Sequence, residues 1–221
     1  MITLSNLFSH IQKMSVESKL KKTYAIFSQL MYKAQADGVV PPSVSGSSHS
    51  ARLNSCDQLF QLYFAPYLKI SKYCKGTVGC GLKYGEIKTL SHENPVWYTN
   101  KSGYGSIASY YNHVEFILSN GVYVSTDVSG TVNTSNYFGV FLDDKYYHIQ
   151  IYIDVNGPTK PNVIGKDIYI FDYYPSKGFV PAGYSRTEQE VKDNCENGNG
   201  YWCASYVLKN NFKISDKTWK R

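Results

Sequence analysis

The chain has 221 residues, with 23 Lys and Arg against 17 Asp and Glu and a net charge of +6. Only 18% of residues are charged while 21 are tyrosines, the reverse of the balance that keeps a chain disordered. No apolar run approaches the ~20 residues that span a bilayer, and the first ten residues do not read as a signal peptide, which leaves one folded, mildly basic domain with a real core.

Residues 4 to 36 read as one long helix. Leu4, Leu7, Phe8, Ile11 and Met14 fall at helical spacing, and Leu20, Tyr24, Phe27, Met31 and Ala34 resume it after the polar stretch SVESK. Lys13–Glu17 and Glu17–Lys21 are spaced to pair along the helix. No Pro or Gly interrupts the run before Asp37-Gly38, where Gly suits a C-terminal cap. At 1.5 Å per residue such a helix is a rod of about 50 Å, longer than a small head is wide. Lys19, Lys21 and Lys22, midway along it, read as a solvated face in preference to an anionic-lipid contact. VVPPSVSGSSHSAR (39–52) is a Pro/Ser/Gly linker, and CDQLFQLYFA (56–65) a short helix stopped by Pro66. The division is a helical spine at 1–37, a linker at 38–55 and a globular head at 56–221.

Strands follow. HVEFILS, Asn120-Gly121 and VYVSTDV predict a hairpin, because Asn-Gly suits the positive φ angles of a two-residue type I′ turn. YYHIQIYID (146–154) alternates, with Tyr147, Ile149, Ile151 and Ile153 on one face and Tyr146, His148, Gln150 and Tyr152 on a wetter one. IYIFDYY (168–174) adds another strand. The expected class is α+β, with about four antiparallel strands against the long helix.

Five cysteines bound the setting. Cys74 and Cys80 enclose a Gly-rich loop, and so do Cys195 and Cys203. Such loops reach the Cα separation of a disulfide without strain, and neither pair has the CxxC spacing of a zinc or redox motif. Five cysteines allow several pairings; the local one leaves Cys56 as a buried free thiol. Two bridges imply an oxidising compartment and export.

Signatures of catalysis are missing: there is no GxGxxG, P-loop, HExxH or GxSxG. His113 and Glu115 share a strand face and read as a hydrogen-bonded pair, and nothing places Cys56 beside His113 as a nucleophile beside its base. The loop from Asp154 through Asn156 to Asp167 offers the hard oxygen ligands that Ca²⁺ prefers. It lacks the closing Glu of an EF-hand, and a rigid Asp/Asn/Gly/Pro turn is the competing reading.

In order along the chain, these segments resemble the type IV pilin-like and type II secretion pseudopilin family, marked by a prepilin-type N-terminal cleavage/methylation domain. LFSHIQKMSVESKLKKTYAIFSQLMYKAQADG is similar to the soluble part of its N-terminal helix, with Ser18 to Tyr24 matching the stretch that follows the membrane anchor. LFQLYFAPYLKISKYC (59–74), IDVNGPTKPNVIGKDIYIF (153–171), Gly178-Phe179-Val180-Pro181 and Cys195 to Ala204 resemble its later elements. Met1 to Leu4 look like the tail of the anchor, so the resemblance implies a leader and an apolar segment upstream. It also implies a pilin-like fold, a disulfide-bounded C-terminal region, no catalytic residue and no small-molecule substrate. Its partners would be other subunits in a filament, and beyond them secreted cargo or a surface. The site would be inner-membrane-anchored and periplasmic, or the cell exterior. Tyr146, Tyr152, Tyr173, Tyr174, Tyr184, Tyr201 and Trp202 are the candidate contact surface. Two other readings remain: an exported module stacking these aromatics on sugar rings, and a minor pilin in DNA uptake, disfavoured because no dense basic stripe is visible.

Overall fold

The computed structural model describes residues 4–40, 49–76, 80, 86–95, 113–129, 148–174 and 177–221. Helix α1 runs Leu4–Ala36, as its periodicity predicts. Gly38 takes φ +75° and the Val39 N–H donates to the Ala34 carbonyl at 2.9 Å, the bond that closes a helix over a left-handed glycine. Among the described residues no helix is long and apolar enough to cross a membrane.

Helix α2 begins at His49 and runs to Leu59, so residues 49–55 are helical and not linker. Their polar sequence carries little helical signal. Packing of Leu53, Cys56 and Leu59 against the core settles the conformation, a tertiary override of weak propensity. The helix then widens into a π turn, Phe60–Phe64, closed by the Ala65 N–H on the Phe60 carbonyl at 2.9 Å. That turn buries Phe60, Tyr63 and Phe64 together.

Among the described residues the sheet has six strands: β1 (Ile70–Lys75), β2 (His113–Leu118), β3 (Tyr123–Ser129), β4 (His148–Asp154), β5 (Ile168–Tyr174) and β6 (Gly178–Pro181). They lie side by side in chain order, every neighbour antiparallel. The strands beyond the expected four are the edges. β1 is half-exposed with two lysines, and β6 has four residues, so neither carries the pattern of a central strand. The β2–β3 connection also differs. The Gly121 N–H donates to Leu118 O and the Leu118 N–H to Val122 O, which makes a three-residue loop. Only Gly121 has positive φ, so Asn-Gly closes a type I turn with a glycine bulge.

Helices α1 and α2 cover one face of the sheet. Tyr24 meets Phe171 and Phe179 at 5.8 and 5.5 Å between ring centroids, and Phe27 meets Phe64 at 5.7 Å. Val114, Phe116, Val124, Ile149, Ile151, Ile153 and Phe171 supply the sheet's share of this core. The opposite face carries a second core, in which Tyr123, Tyr152, Ile168, Ile170 and Tyr174 meet Ile87, Ile164 and Tyr201. Three short helices end the chain: α3 (Glu188–Glu196), α4 (Cys203–Lys209) and α5 (Asp216–Trp219). Thr187 and Glu190 cap α3 reciprocally. The disulfides join Cys74 to Cys80 and Cys195 to Cys203, with Cα separations of 5.7 and 4.9 Å, and Cys56 is a buried free thiol in the first core.

Candidate functional site

The first surface that stands out is on α1. Its buried residues Val16, Leu20, Thr23, Phe27, Leu30, Met31 and Ala34 point at the head. Leu4, Leu7, Phe8, Ile11 and Met14 are 47–73% exposed. At 3.6 residues per turn the two sets lie about half a turn apart, so one apolar run in the sequence is two stripes on opposite faces. Ile26 and Tyr32 are also exposed and continue the outer stripe.

The inner face of the same segment is held down by the C-terminus. Glu17 is buried and accepts from Lys213 Nζ at 2.9 Å and the Ile214 N–H at 3.0 Å. Lys13 pairs with Asp216, and Trp219 Nε1 donates to Ser9 Oγ at 2.9 Å. These long-range partners replace the local Lys13–Glu17 and Glu17–Lys21 pairs expected from spacing. Beside this strap a cleft of about 520 Å³ opens between α1 and the β4–β5 loop, lined by Ser9, Gln12, Asn156, Lys160, Lys166 and Trp219.

The β4–β5 loop is built around two buried carboxylates. Asp167 accepts from the Asn162 and Val163 N–H groups at 2.8 and 2.6 Å. Asp154 Oδ1 accepts from the Asn156 N–H at 3.2 Å. The Asn156 amide nitrogen donates to the Thr159 and Lys160 carbonyls, at 3.1 and 3.4 Å. These bonds make the loop a rigid Asp/Asn/Gly/Pro turn. They leave three buried oxygens without a partner: Asp154 Oδ2, Asn156 Oδ1 and Asn162 Oδ1. Burial pushes the Asp167 carboxyl up to about 6 against the backbone N–H groups that hold it down. Burial and the nearby Asp167 charge push Asp154 well up. Gly157, at φ +72°, brings the loop onto the β2–β3 turn, where an added Cβ would stand 2.4 Å from Gly121 O. No group of three or more His, Cys, Asp or Glu gathers among the described residues, so a cation here would depend on amide oxygens.

The tyrosine surface is largely overturned. Tyr152, Tyr173, Tyr174 and Tyr201 are buried, Tyr184 is exposed, Trp202 is half-buried under the Arg186 guanidinium at 4.9 Å, and Tyr146 lies outside the described residues. Strict alternation in β4 predicts a wet face. Gln150, Tyr152 and Asp154 on it are buried nonetheless, because a second core covers that side. Tyr152 suits the position: its ring fills volume while its hydroxyl donates to Gln150 Oε1 at 3.0 Å.

His113 Nε2 and Glu115 Oε1 are paired at 3.1 Å, as expected, but the pair is buried. They project to the second face of the sheet, whereas Cys56 packs in the first core, so they do not form a nucleophile–base pair. Asp172, also on the second face and opposite Gln150, is fully buried with neither carboxylate oxygen bonded, and burial raises its pKa well above the usual range. No sequence signal marks it, since IYIFDYY reads as an apolar strand. No family model, curated protein or solved structure matches this chain.

Proposed function

We propose that this chain is a structural, non-catalytic subunit of a type IV pilus or type II secretion pseudopilus, exported and carried at the inner membrane or in a surface filament. One observation carries the reading: the outer stripe of Leu4, Leu7, Phe8, Ile11 and Met14, apolar and facing away from the head that the same helix is packed on. A helix with two apolar faces has one for its own domain and one for a neighbour. Helices of this kind bundle at the centre of a fibre, with the heads outward. The two disulfides fit an oxidising compartment, and the ordered resemblance along the sequence gives the type of fibre.

The competing module that stacks sugars on tyrosines fits less well, since Tyr152, Tyr173, Tyr174 and Tyr201 are buried and only Tyr184 and Trp202 of the described candidates reach the surface. The test is expression from the natural locus, with the chain followed in sheared surface fibres and in the cell envelope. The chain should co-purify with a fibre or the secretion apparatus, and the Phe8→Asp, Ile11→Asp double variant should be stable but unincorporated. Recovery of that double variant in fibres at the normal level would refute the assignment to the outer stripe. Recovery of the chain as a free extracellular monomer would remove the filament reading altogether.

A further inference from the structure

We propose that the β4–β5 loop is a Ca²⁺ site whose protein ligands are Asp154 Oδ2, Asn156 Oδ1, Asn162 Oδ1 and the Asp167 carboxylate. The proposal does not depend on the filament reading. Buried oxygens in a folded chain are nearly always hydrogen-bonded, and one left without a partner is destabilising. Here three orphans occur within nine positions of one loop, and all three are acceptors. Asp154 and Asn162 are essentially inaccessible, at 0% and 1% exposure.

The orientation of each group is fixed by what it already does. Asp154 spends Oδ1 on the Asn156 N–H, leaving Oδ2 turned elsewhere. Asn156 gives its amide nitrogen to two carbonyls, so its oxygen is the atom left over. Asn162 is joined through its own N–H to Asp167 Oδ2. Asp167 is therefore the hub: the Asn162 and Val163 N–H groups bond it, and Asp154 feels its charge.

Water fits this group poorly. One molecule brings two protons to three orphan oxygens and supplies no positive charge to the two carboxyl groups. No lysine among the described residues forms an ion pair with either carboxyl group, although Lys166 and Lys19 act on them through their fields. Lys166 lies over the Trp219 ring at 5.1 Å, Lys160 is exposed, and Lys19 of α1 acts on Asp154 only through its field. A divalent cation supplies what is missing. An all-oxygen set of two carboxylates and two amides excludes the nitrogen- and sulfur-seeking metals. Mg²⁺ favours strict octahedra with several retained waters. Ca²⁺ accepts six to eight oxygens in irregular geometry, so backbone carbonyls or solvent complete its shell.

Calorimetric titration of the chelator-treated whole chain with CaCl₂ and with MgCl₂ tests this. One Ca²⁺ per chain is expected, with Mg²⁺ weaker by about tenfold or more, a higher thermal midpoint in Ca²⁺, and Tb³⁺ luminescence excited through the nearby Tyr169. Asp154→Asn keeps the Oδ1 acceptor and removes one charge. It should weaken Ca²⁺ binding at least about tenfold and leave the calcium-free midpoint unchanged or raised. Should that variant fail to fold, Asn156→Ala, at a half-buried position, reads the same loss. Absence of heat and of any midpoint shift at ~10 mM CaCl₂, far above the weakest extracellular calcium modules, would overturn the proposal. So would Ca²⁺ binding that both variants leave at wild-type strength.

Discussion

Glu17 sits mid-helix in a polar stretch that reads as solvated, yet with Ser9 and Lys13 it ties α1 to the C-terminal segment. Its carboxylate accepts a buried backbone N–H from Ile214 and a lysine from the same segment. Truncation would orphan that N–H, so Glu17→Ala should cost about 1–3 kcal/mol in urea denaturation, while Glu17→Gln should recover part of the loss. A cost under ~0.5 kcal/mol, the ordinary surface value, would mean that the clamp is idle. Asp172 makes the opposite prediction. Burial holds its folded pKa well above the usual carboxylate range, so the native chain binds the proton more tightly than the unfolded one. The stability this gives is complete below about pH 4 and drains away as pH rises toward the folded pKa. Asp172→Asn should therefore be more stable than the parent at pH 7, with the difference shrinking as the pH falls toward 4. Equal midpoints across that range would show that the carboxylate finds a partner in solution.

The elements record how far local rules reach. Helix α1 was legible to the residue because nothing but periodicity and the glycine stop was needed. The start of helix α2 is not legible in the sequence, because its N-terminal half is polar and is held by packing. The β2–β3 hairpin was legible as a hairpin but not in its turn type, since Asn-Gly serves both a type I′ turn and a glycine bulge. Both disulfides close short loops, which is why spacing pointed to them. The Cys195–Cys203 bridge joins α3 to α4, with both sulfurs buried in the first core. Chain-entropy arithmetic gives about 2–3 kcal/mol for a loop of that size. The double Cys→Ala variant at 195 and 203 should lose that and a cavity term besides, and so should melt below the 74/80 double variant. A lower midpoint for the 74/80 pair would reverse this ranking. Cys56 should react with a thiol reagent only after denaturation, since it has no exposed surface.

For the whole molecule, the decisive feature is that the sheet is covered on both sides while α1 is covered on one. Four of the candidate tyrosines thereby moved from surface to core, and the five apolar side chains at the start of α1 lie on the surface. The prediction at this scale separates folding from assembly. Phe8→Asp with Ile11→Asp should shift the unfolding free energy of the chain by no more than about 0.5 kcal/mol. The same pair should abolish concentration-dependent association in sedimentation. A loss of several kcal/mol would mean that these residues pack within the chain.

Sequence alone determined what depends on neighbours along the chain: the length and end of the long helix, the central strands, the hairpin and the local disulfide pairs. These follow from periodicity, glycine conformation and loop closure over short distances. Only the tertiary structure decided which apolar residues are inside. A 3.6-residue period marks an apolar stripe without stating its partner, and the polar gap at 15–19 turned the stripe by half a revolution unseen. Likewise, alternation in β4 said that its two faces differ, and only the second layer decided that both are dry. The Ca²⁺ candidates were legible as residue types. Asn162, which completes the set, was not, because only the folded loop brings its amide against Asp167 and leaves its oxygen without a partner.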